Sequence, residues 1–154
     1  MKRYLEYNGL KVLAHRGGVD ESYENTLESF NYSQSLGCEF IETDVQVSSD
    51  GIPYIFHDDD LKRILNKSIR FDSLSSNEID ELNIFNTHKI PKLSEALLRF
   101  PNLCFQIDFK TDEVVMPALD VIKNMNAFDR VCIASFNSKR LQNVRSLYPD
   151  ICIS

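Results

Sequence analysis

Two carboxylates and a histidine, spaced so that they can act together, lie in one stretch of the sequence, 39–60 (EFIETDVQVSSDGIPYIFHDDD). Glu42 and Asp44 fall on one face of a predicted strand, roughly 6–7 Å apart. His57 follows after a tight turn at 49–51. Carboxylates so placed can converge on a hard cation such as Mg²⁺ or Ca²⁺, and histidine moves protons near neutral pH. The stretch therefore predicts metal-assisted acid–base chemistry.

The competing interpretation of Glu42 and Asp44 is the exposed polar face of an edge strand. Metal binding is favoured because Ile41, Thr43 and Val45 form a packing face opposite the acidic one.

The segment LCFQIDFK repeats this alternation, with Asp108 and Lys110 on the polar face of another predicted strand. If the strand ends converge, Asp108 supplies a third oxygen ligand and Lys110 a cation for a substrate phosphate. The alternative is a plain salt bridge between Lys110 and one of the acids.

A second histidine, His15, follows the short apolar run 11–14. Together with His57 it flanks the acidic pair, which predicts a proton-transfer pair. Arg16 can clamp phosphate oxygens through two hydrogen bonds, and Gly17 and Gly18 would let the backbone approach a ligand closely.

Other polar residues have simpler interpretations. Asn25 or Thr26 can cap a helix, and Glu24 can favour the positive end of its dipole. Ser135 lacks the G-x-S-x-G elbow of a serine nucleophile, and His88 is predicted to lie on the surface.

Strands alternate with helical patterns, which indicates a parallel β/α architecture. The polar candidates fall at the carboxyl ends of the strands, where active sites of barrels and open sheets lie. There is no G-x-G-x-x-G or P-loop, so a (β/α)₈ barrel fits best, although such a barrel needs roughly 250 residues. We expect an incomplete barrel with about five of its eight core strands and a small surface insertion. The predicted core strands are 11–14, 40–47, 103–109, 131–134 and 151–153, with a short returning strand at 53–56 and the insertion at 61–90.

The bulk properties predict a single domain over residues 1–154. A formal charge of −6 disfavours binding to nucleic acid or to an anionic membrane. The four cysteines have no C-x-x-C spacing, and three lie in apolar runs, which indicates buried reduced thiols. Neither a signal peptide nor a membrane span is recognisable, so a cytoplasmic location is expected.

The motifs HRGG, YENTLESF, IETDVQVSSDGIPYIFHDDDLKR, FQIDFK and ASF occur in that order. With these motifs in this order, the chain resembles the glycerophosphodiester phosphodiesterase family. The resemblance implies a TIM-type barrel of the phospholipase C-like phosphodiesterase type, with an insertion after the second strand. It also implies metal-assisted hydrolysis of glycerophosphodiesters to sn-glycerol 3-phosphate and an alcohol such as choline or ethanolamine.

Carried over by position, the resemblance implies a role for each candidate residue. It implies that His15 and His57 form the acid–base pair and that the metal ligands are Glu42, Asp44 and Asp108. It also implies that Arg16 and Lys110 bind phosphate and that Asn25 supports a catalytic histidine.

The sequence departs from the family pattern at three points. Tyr23 replaces the usual proline and should alter only a loop. Asp108 replaces the commoner glutamate, which shortens its reach and can loosen the metal site. The chain also stops after the fifth predicted strand, so we expect open sheet edges that pair with another copy or with a separately encoded remainder.

Two other functions stay open from the sequence. One is a related phospholipase of the sphingomyelinase D or phosphatidylinositol-specific type. The other is a truncated, non-catalytic fragment that binds a metal or a partner.

Overall fold

The structure is a computed structural model that describes residues 3–6, 9–18 and 23–154. These residues form a six-stranded sheet with helices packed against it. The strands are β1 Leu13–His15, β2 Phe40–Val47, β3 Pro53–Ile55, β4 Cys104–Phe109, β5 Val131–Ala134 and β6 Cys152–Ile153. The helices are α1 Arg3–Glu6, α2 Leu27–Ser35, α3 Lys62–Leu65, α4 Ser76–Glu81, α5 Leu93–Arg99, α6 Val115–Asn124 and α7 Ser138–Leu147, with a 3₁₀ turn at Phe71–Ser73.

The sheet has the order β1-β2-β4-β5-β6, and all these neighbours are parallel. Strand β3 lies off this path and pairs with β2 in the antiparallel sense. The predicted alternation of parallel strands and helices is thus confirmed, including the short returning strand. Within the described ranges β1 and β6 do not pair with each other, so the sheet is open, as an incomplete barrel should be.

The strand register sets the positions of the polar residues. Glu42 on β2 lies between His15 on β1 and Gln106 on β4, and Asp44 lies directly opposite Asp108. Because side chains alternate along a strand, these five side chains project from the same face of the sheet.

The other face of the sheet carries the main hydrophobic core. Ile41, Val45, Phe105, Ile107 and Ile133 are fully buried there. They pack against apolar side chains of α2, α5, α6 and α7, such as Phe30, Leu97, Leu119 and Val144. Apolar and polar residues therefore alternate along β2 and β4 because one face is core and the other is the site.

The segment 61–90, predicted as a surface insertion, contains α3, the 3₁₀ turn and α4. Its apolar residues build a second, smaller core around Tyr54 and Phe71. His88 from this segment is only partly exposed, since its side chain lies against Tyr23 and 3.3 Å from a carboxylate oxygen of Glu28. His88 is therefore half-buried, and the predicted surface position is wrong in that respect.

Three cysteines of the strands line the same sheet face as the polar residues, nearer the amino ends. Cys104, Cys132 and Cys152 are buried beside Tyr4 and Phe40, which confirms their predicted burial. The side chains of Cys132 and Cys152 contact each other, and both cysteines are free thiols.

None of the helices among the described residues is both long and apolar enough to cross a lipid bilayer.

Candidate active site

A cavity of about 500 Å³ opens at the carboxyl ends of the parallel strands. Seven of the eight predicted site residues line it. Its walls are His15, Arg16, Glu42, Asp44, His57, Gln106, Asp108, Lys110, Ala134, Ser135, Phe136 and Ser154. Asn25, the eighth, contacts the cavity wall from behind through Asp44.

One wall of the cavity is formed by the turn that follows β1. The backbone N–H of Arg16 donates to Glu42 Oε2 at 3.1 Å, and His15 Nε2 lies 3.9 Å from the same oxygen. Burial raises the pKa of Glu42, and the neighbouring charge of Asp44 raises it further. A positive group near these two carboxylates would lower that pKa and favour both charges.

Arg16 and Asn25 both adopt left-handed backbone conformations, with φ of +50° and +56°. Such values cost a non-glycine residue roughly 1–2 kcal/mol. The Asn25 N–H donates to the Arg16 carbonyl at 2.8 Å, which fixes the two turns to each other. The strained pair holds the Arg16 side chain toward the cavity, with its Nε 3.3 Å from Asp44 Oδ2.

Lys110 lies between two buried acids. Its Nζ is 2.7 Å from Asp44 Oδ1 and 2.6 Å from Asp108 Oδ2. Burial opposes the charged form of Lys110, but the hydrogen bonds to both acids outweigh it and raise its pKa. The salt bridge considered from the sequence is thus present, and it involves both acids rather than one.

Asn25 is a buried link between two strand residues. Its Nδ2 donates to Asp44 Oδ2 at 2.9 Å, and its Oδ1 accepts from the Thr43 hydroxyl at 2.8 Å. The neighbouring Thr26, rather than Asn25, caps helix α2. In the structure Asn25 contacts a carboxylate, whereas the resemblance implied support of a histidine.

His57 enters the cavity from the loop after β3. Its Nδ1 lies 2.6 Å from Asp58 Oδ1. The other oxygen of Asp58 accepts from Arg63 Nε at 2.7 Å. Gln46 holds this loop from below, since its side-chain amide donates to the Asp58 carbonyl at 3.2 Å.

Gly17 is required by packing inside the protein. Its φ is +79°, and a Cβ there would lie 2.3 Å from Ser29 Oγ and 2.6 Å from Phe30 Cδ1. The glycine lets the turn after β1 pack tightly against helix α2.

Glu42, Asp44 and Asp108 offer only oxygen donors, which suits a hard divalent cation. Asp108 Oδ1 is buried and has no hydrogen-bond partner, and burial and the charge of Asp44 raise the pKa of Glu42. By chemistry the three acids fit such an ion. Across the described part of the chain, however, no three His, Cys, Asp or Glu side chains converge into a group that could hold a metal.

Sequence reasoning missed four residues that shape the site: Gln46, Asp58, Arg63 and Gln106. The alternation that places Asp108 on the polar face also places Gln106 there, so that pattern could have identified Gln106. Arg63 gave no local signal, because its partner Glu24 lies 39 positions earlier.

The model of the glycerophosphoryl diester phosphodiesterase family matches residues 15–153. The chain is 31% identical over 138 residues to a probable glycerophosphodiester phosphodiesterase 2 of Mycobacterium tuberculosis, covering 89% of this chain and 52% of that protein. It is 31% identical over 156 residues to a glycerophosphodiester phosphodiesterase of Caldanaerobacter subterraneus subsp. tengcongensis, covering 92% of this chain and 64% of that protein. The chain thus spans about half to two thirds of these curated relatives.

The fold of this chain is also similar to that of a solved structure. A phosphodiesterase of Oleispira antarctica, determined in complex with the product sn-glycerol-3-phosphate, superposes with a TM-score of 0.86 at 28% identity. The match covers 94% of this chain and 64% of that one.

Proposed function

Because this chain belongs to the glycerophosphoryl diester phosphodiesterase family, we propose that its cavity hydrolyses glycerophosphodiesters to sn-glycerol 3-phosphate and an alcohol. One observation carries the proposal. Two histidines, an arginine, a lysine and three carboxylates share a single cavity at the carboxyl ends of the strands. The product bound to the Oleispira antarctica relative is the one that this reaction releases.

In this proposal Arg16 and Lys110 bind the phosphate oxygens and stabilise the charge that develops there. Each is already held in place by acidic neighbours, Arg16 by Glu24 and Asp44 and Lys110 by Asp44 and Asp108. This preorganisation aligns both cations before the substrate arrives.

His15 and His57 then form the acid–base pair. One removes a proton from the attacking oxygen, which belongs to water or to the glycerol hydroxyl of the substrate itself, and the other protonates the leaving alcohol. If the hydroxyl attacks, a cyclic phosphodiester forms, and water then opens it to sn-glycerol 3-phosphate. Both histidines keep access to the cavity, since their side chains are 62% and 33% exposed.

Glu42, Asp44 and Asp108 are the residues that would hold a divalent cation, Mg²⁺ or Ca²⁺. When bound, such an ion draws charge from a phosphate oxygen as a Lewis acid.

The test is release of choline from glycerophosphocholine by the purified chain, with and without EDTA. We expect turnover that EDTA abolishes and that His15→Ala and His57→Ala each lower by about 10²-fold or more. His88→Ala is the matched control, because His88 is the third histidine and does not line the cavity. Full activity in EDTA or in His15→Ala contradicts the scheme.

A second arm separates glycerophosphodiester hydrolysis from phospholipase activity. The chain is given sphingomyelin or phosphatidylinositol in vesicles beside soluble glycerophosphocholine. Preference for the vesicle substrates would favour the phospholipase alternative.

A further inference from the structure

A chain of charged side chains outside the cavity ends on His57. It runs from His57 to Asp58, then to Arg63 on helix α3, and then to Glu24 before helix α2. We propose that Arg63, anchored by Glu24, is a positioning residue that holds Asp58 against His57 and so fixes the imidazole for proton transfer. This proposal rests on the proposed function, in which His57 is one of the acid–base pair.

The contact between His57 and Asp58 determines which ring nitrogen of His57 carries the proton. Arg63 offsets the burial of Asp58, so the pKa of this carboxyl stays below its usual range. An ionised carboxylate only accepts hydrogen bonds, so His57 Nδ1 must carry the proton at this 2.6 Å contact. The neutral ring therefore presents the lone pair of Nε2 as its proton acceptor.

Arg63 fixes the orientation of Asp58. Its Nε donates to Asp58 Oδ2 at 2.7 Å, while His57 is bound by the other oxygen. With both oxygens engaged, the carboxylate cannot rotate away from the imidazole without breaking an ion pair.

Glu24 in turn fixes Arg63. Its two oxygens accept from Arg63 Nη1 and Nη2 at 3.0 and 2.6 Å, a bidentate arrangement. One of these oxygens also accepts from Arg16 Nη1 at 3.2 Å. The same carboxylate thus links the arginine that holds the His57 loop to the arginine of the cavity wall.

The segment 61–90 contributes one charged side chain to this network. Arg63 is its only residue among the described ones that forms an ion pair with Glu24 or Asp58. The segment serves the site by supplying this arginine, and its small core around Phe71 holds the arginine's helix in place.

The test reads the protonation of His57 directly, by ¹⁵N NMR of histidine-labelled protein at mildly alkaline pH, with assignment by single-histidine variants. We expect the Nδ1-protonated tautomer in the wild type. Asp58→Asn and Arg63→Met should shift the ring toward the Nε2-protonated form. In the activity assay, both should lower kcat about 10–100-fold with little change in KM.

Two further variants separate positioning from general stability. Arg63→Lys keeps the charge but cannot donate from three separate nitrogens to Asp58 and to both oxygens of Glu24, so it should recover only part of kcat. Arg70→Met removes the paired arginine of Asp72 in the same segment, without a link to His57, and should leave the tautomer and kcat unchanged.

An unchanged tautomer in both Asp58→Asn and Arg63→Met overturns the proposal, as does an Arg70→Met protein that behaves like Arg63→Met. The NMR measurement needs no turnover. If the wild type does not hydrolyse glycerophosphocholine but the tautomer shifts as expected, the positioning role stands and the proposed function fails.

Discussion

Asp44 and Asp108 lie directly opposite each other on neighbouring parallel strands, and both are almost fully buried, with 2% and 5% of their surface exposed. Two like charges side by side in the interior destabilise the fold unless a cation lies close. The ammonium group of Lys110 contacts both. The fold and the proposed catalysis therefore depend on the same three side chains.

This arrangement predicts a large effect of Lys110→Met. The change leaves buried Asp108 without a cation and Asp44 with Arg16 alone, so we expect a loss of about 2–4 kcal/mol of unfolding free energy, measured by urea denaturation. Added Mg²⁺ or Ca²⁺ should recover stability in Lys110→Met more than in the wild type. Lys92→Met, which breaks the more exposed pair with Asp80, is the control and should cost less than about 1 kcal/mol. Equal losses in the two variants would contradict the argument.

Arg63 should also govern how the protein responds to acid. Burial alone would raise the pKa values of Glu24 and Asp58, but their bonds to Arg63 outweigh it and lower both. A lowered folded-state pKa gives stability that is present above the ordinary carboxyl pKa and is lost as the pH falls through the lowered value. Arg63→Met should therefore be less stable than the wild type at neutral pH, and the difference should shrink in acid.

The measurement for Arg63→Met is the unfolding free energy from denaturant titrations between neutral pH and about pH 3. Arg145→Met serves as the control, because Arg145 donates to the Pro149 carbonyl rather than to a carboxylate. A constant difference between Arg63→Met and the wild type across this range would show that the carboxylates are not the source.

The sequence made the sheet and the acidic face predictable because both follow from short-range rules. Alternation placed Glu42, Asp44 and Asp108 on one face, and the convergence of parallel strand ends brought them to one cavity. The histidines followed because each directly ends or follows an apolar run. These are properties of a few neighbouring residues, which a single sequence contains.

Long-range contacts were not predictable in this way. The bond between Arg63 and Glu24 spans 39 positions and depends on how the segment 61–90 folds back. The second core around Phe71 was missed because its apolar residues are scattered over short helices and turns without a regular period. The tight packing of Gly17 against Ser29 likewise depends on tertiary structure.

Gly17 and Gly51 offer a matched pair for separating backbone strain from steric overlap. Both have positive φ, +79° and +84°, but a Cβ at Gly51 meets nothing within 4 Å. Gly51→Ala should cost about 1–2 kcal/mol from the backbone alone. Gly17→Ala should cost about 1–3 kcal/mol more, because its Cβ overlaps with Ser29 and Phe30. Denaturant midpoints measure both, and equal losses would mean that the turn relaxes away from helix α2.

The buried link through Asn25 predicts non-additive effects on stability. Asn25→Ala removes a donor from Asp44 and leaves the Thr43 hydroxyl without its acceptor, so we expect a loss of about 2–3 kcal/mol. Thr43→Val leaves the Asn25 carbonyl oxygen without its donor and should cost about 1–2 kcal/mol. In the double variant Asn25→Ala/Thr43→Val neither of these two groups is left unpaired. Its loss should therefore be smaller than the sum of the single losses by about 1 kcal/mol. Urea denaturation of the four proteins closes this cycle, and simple additivity would show that the two side chains do not depend on each other.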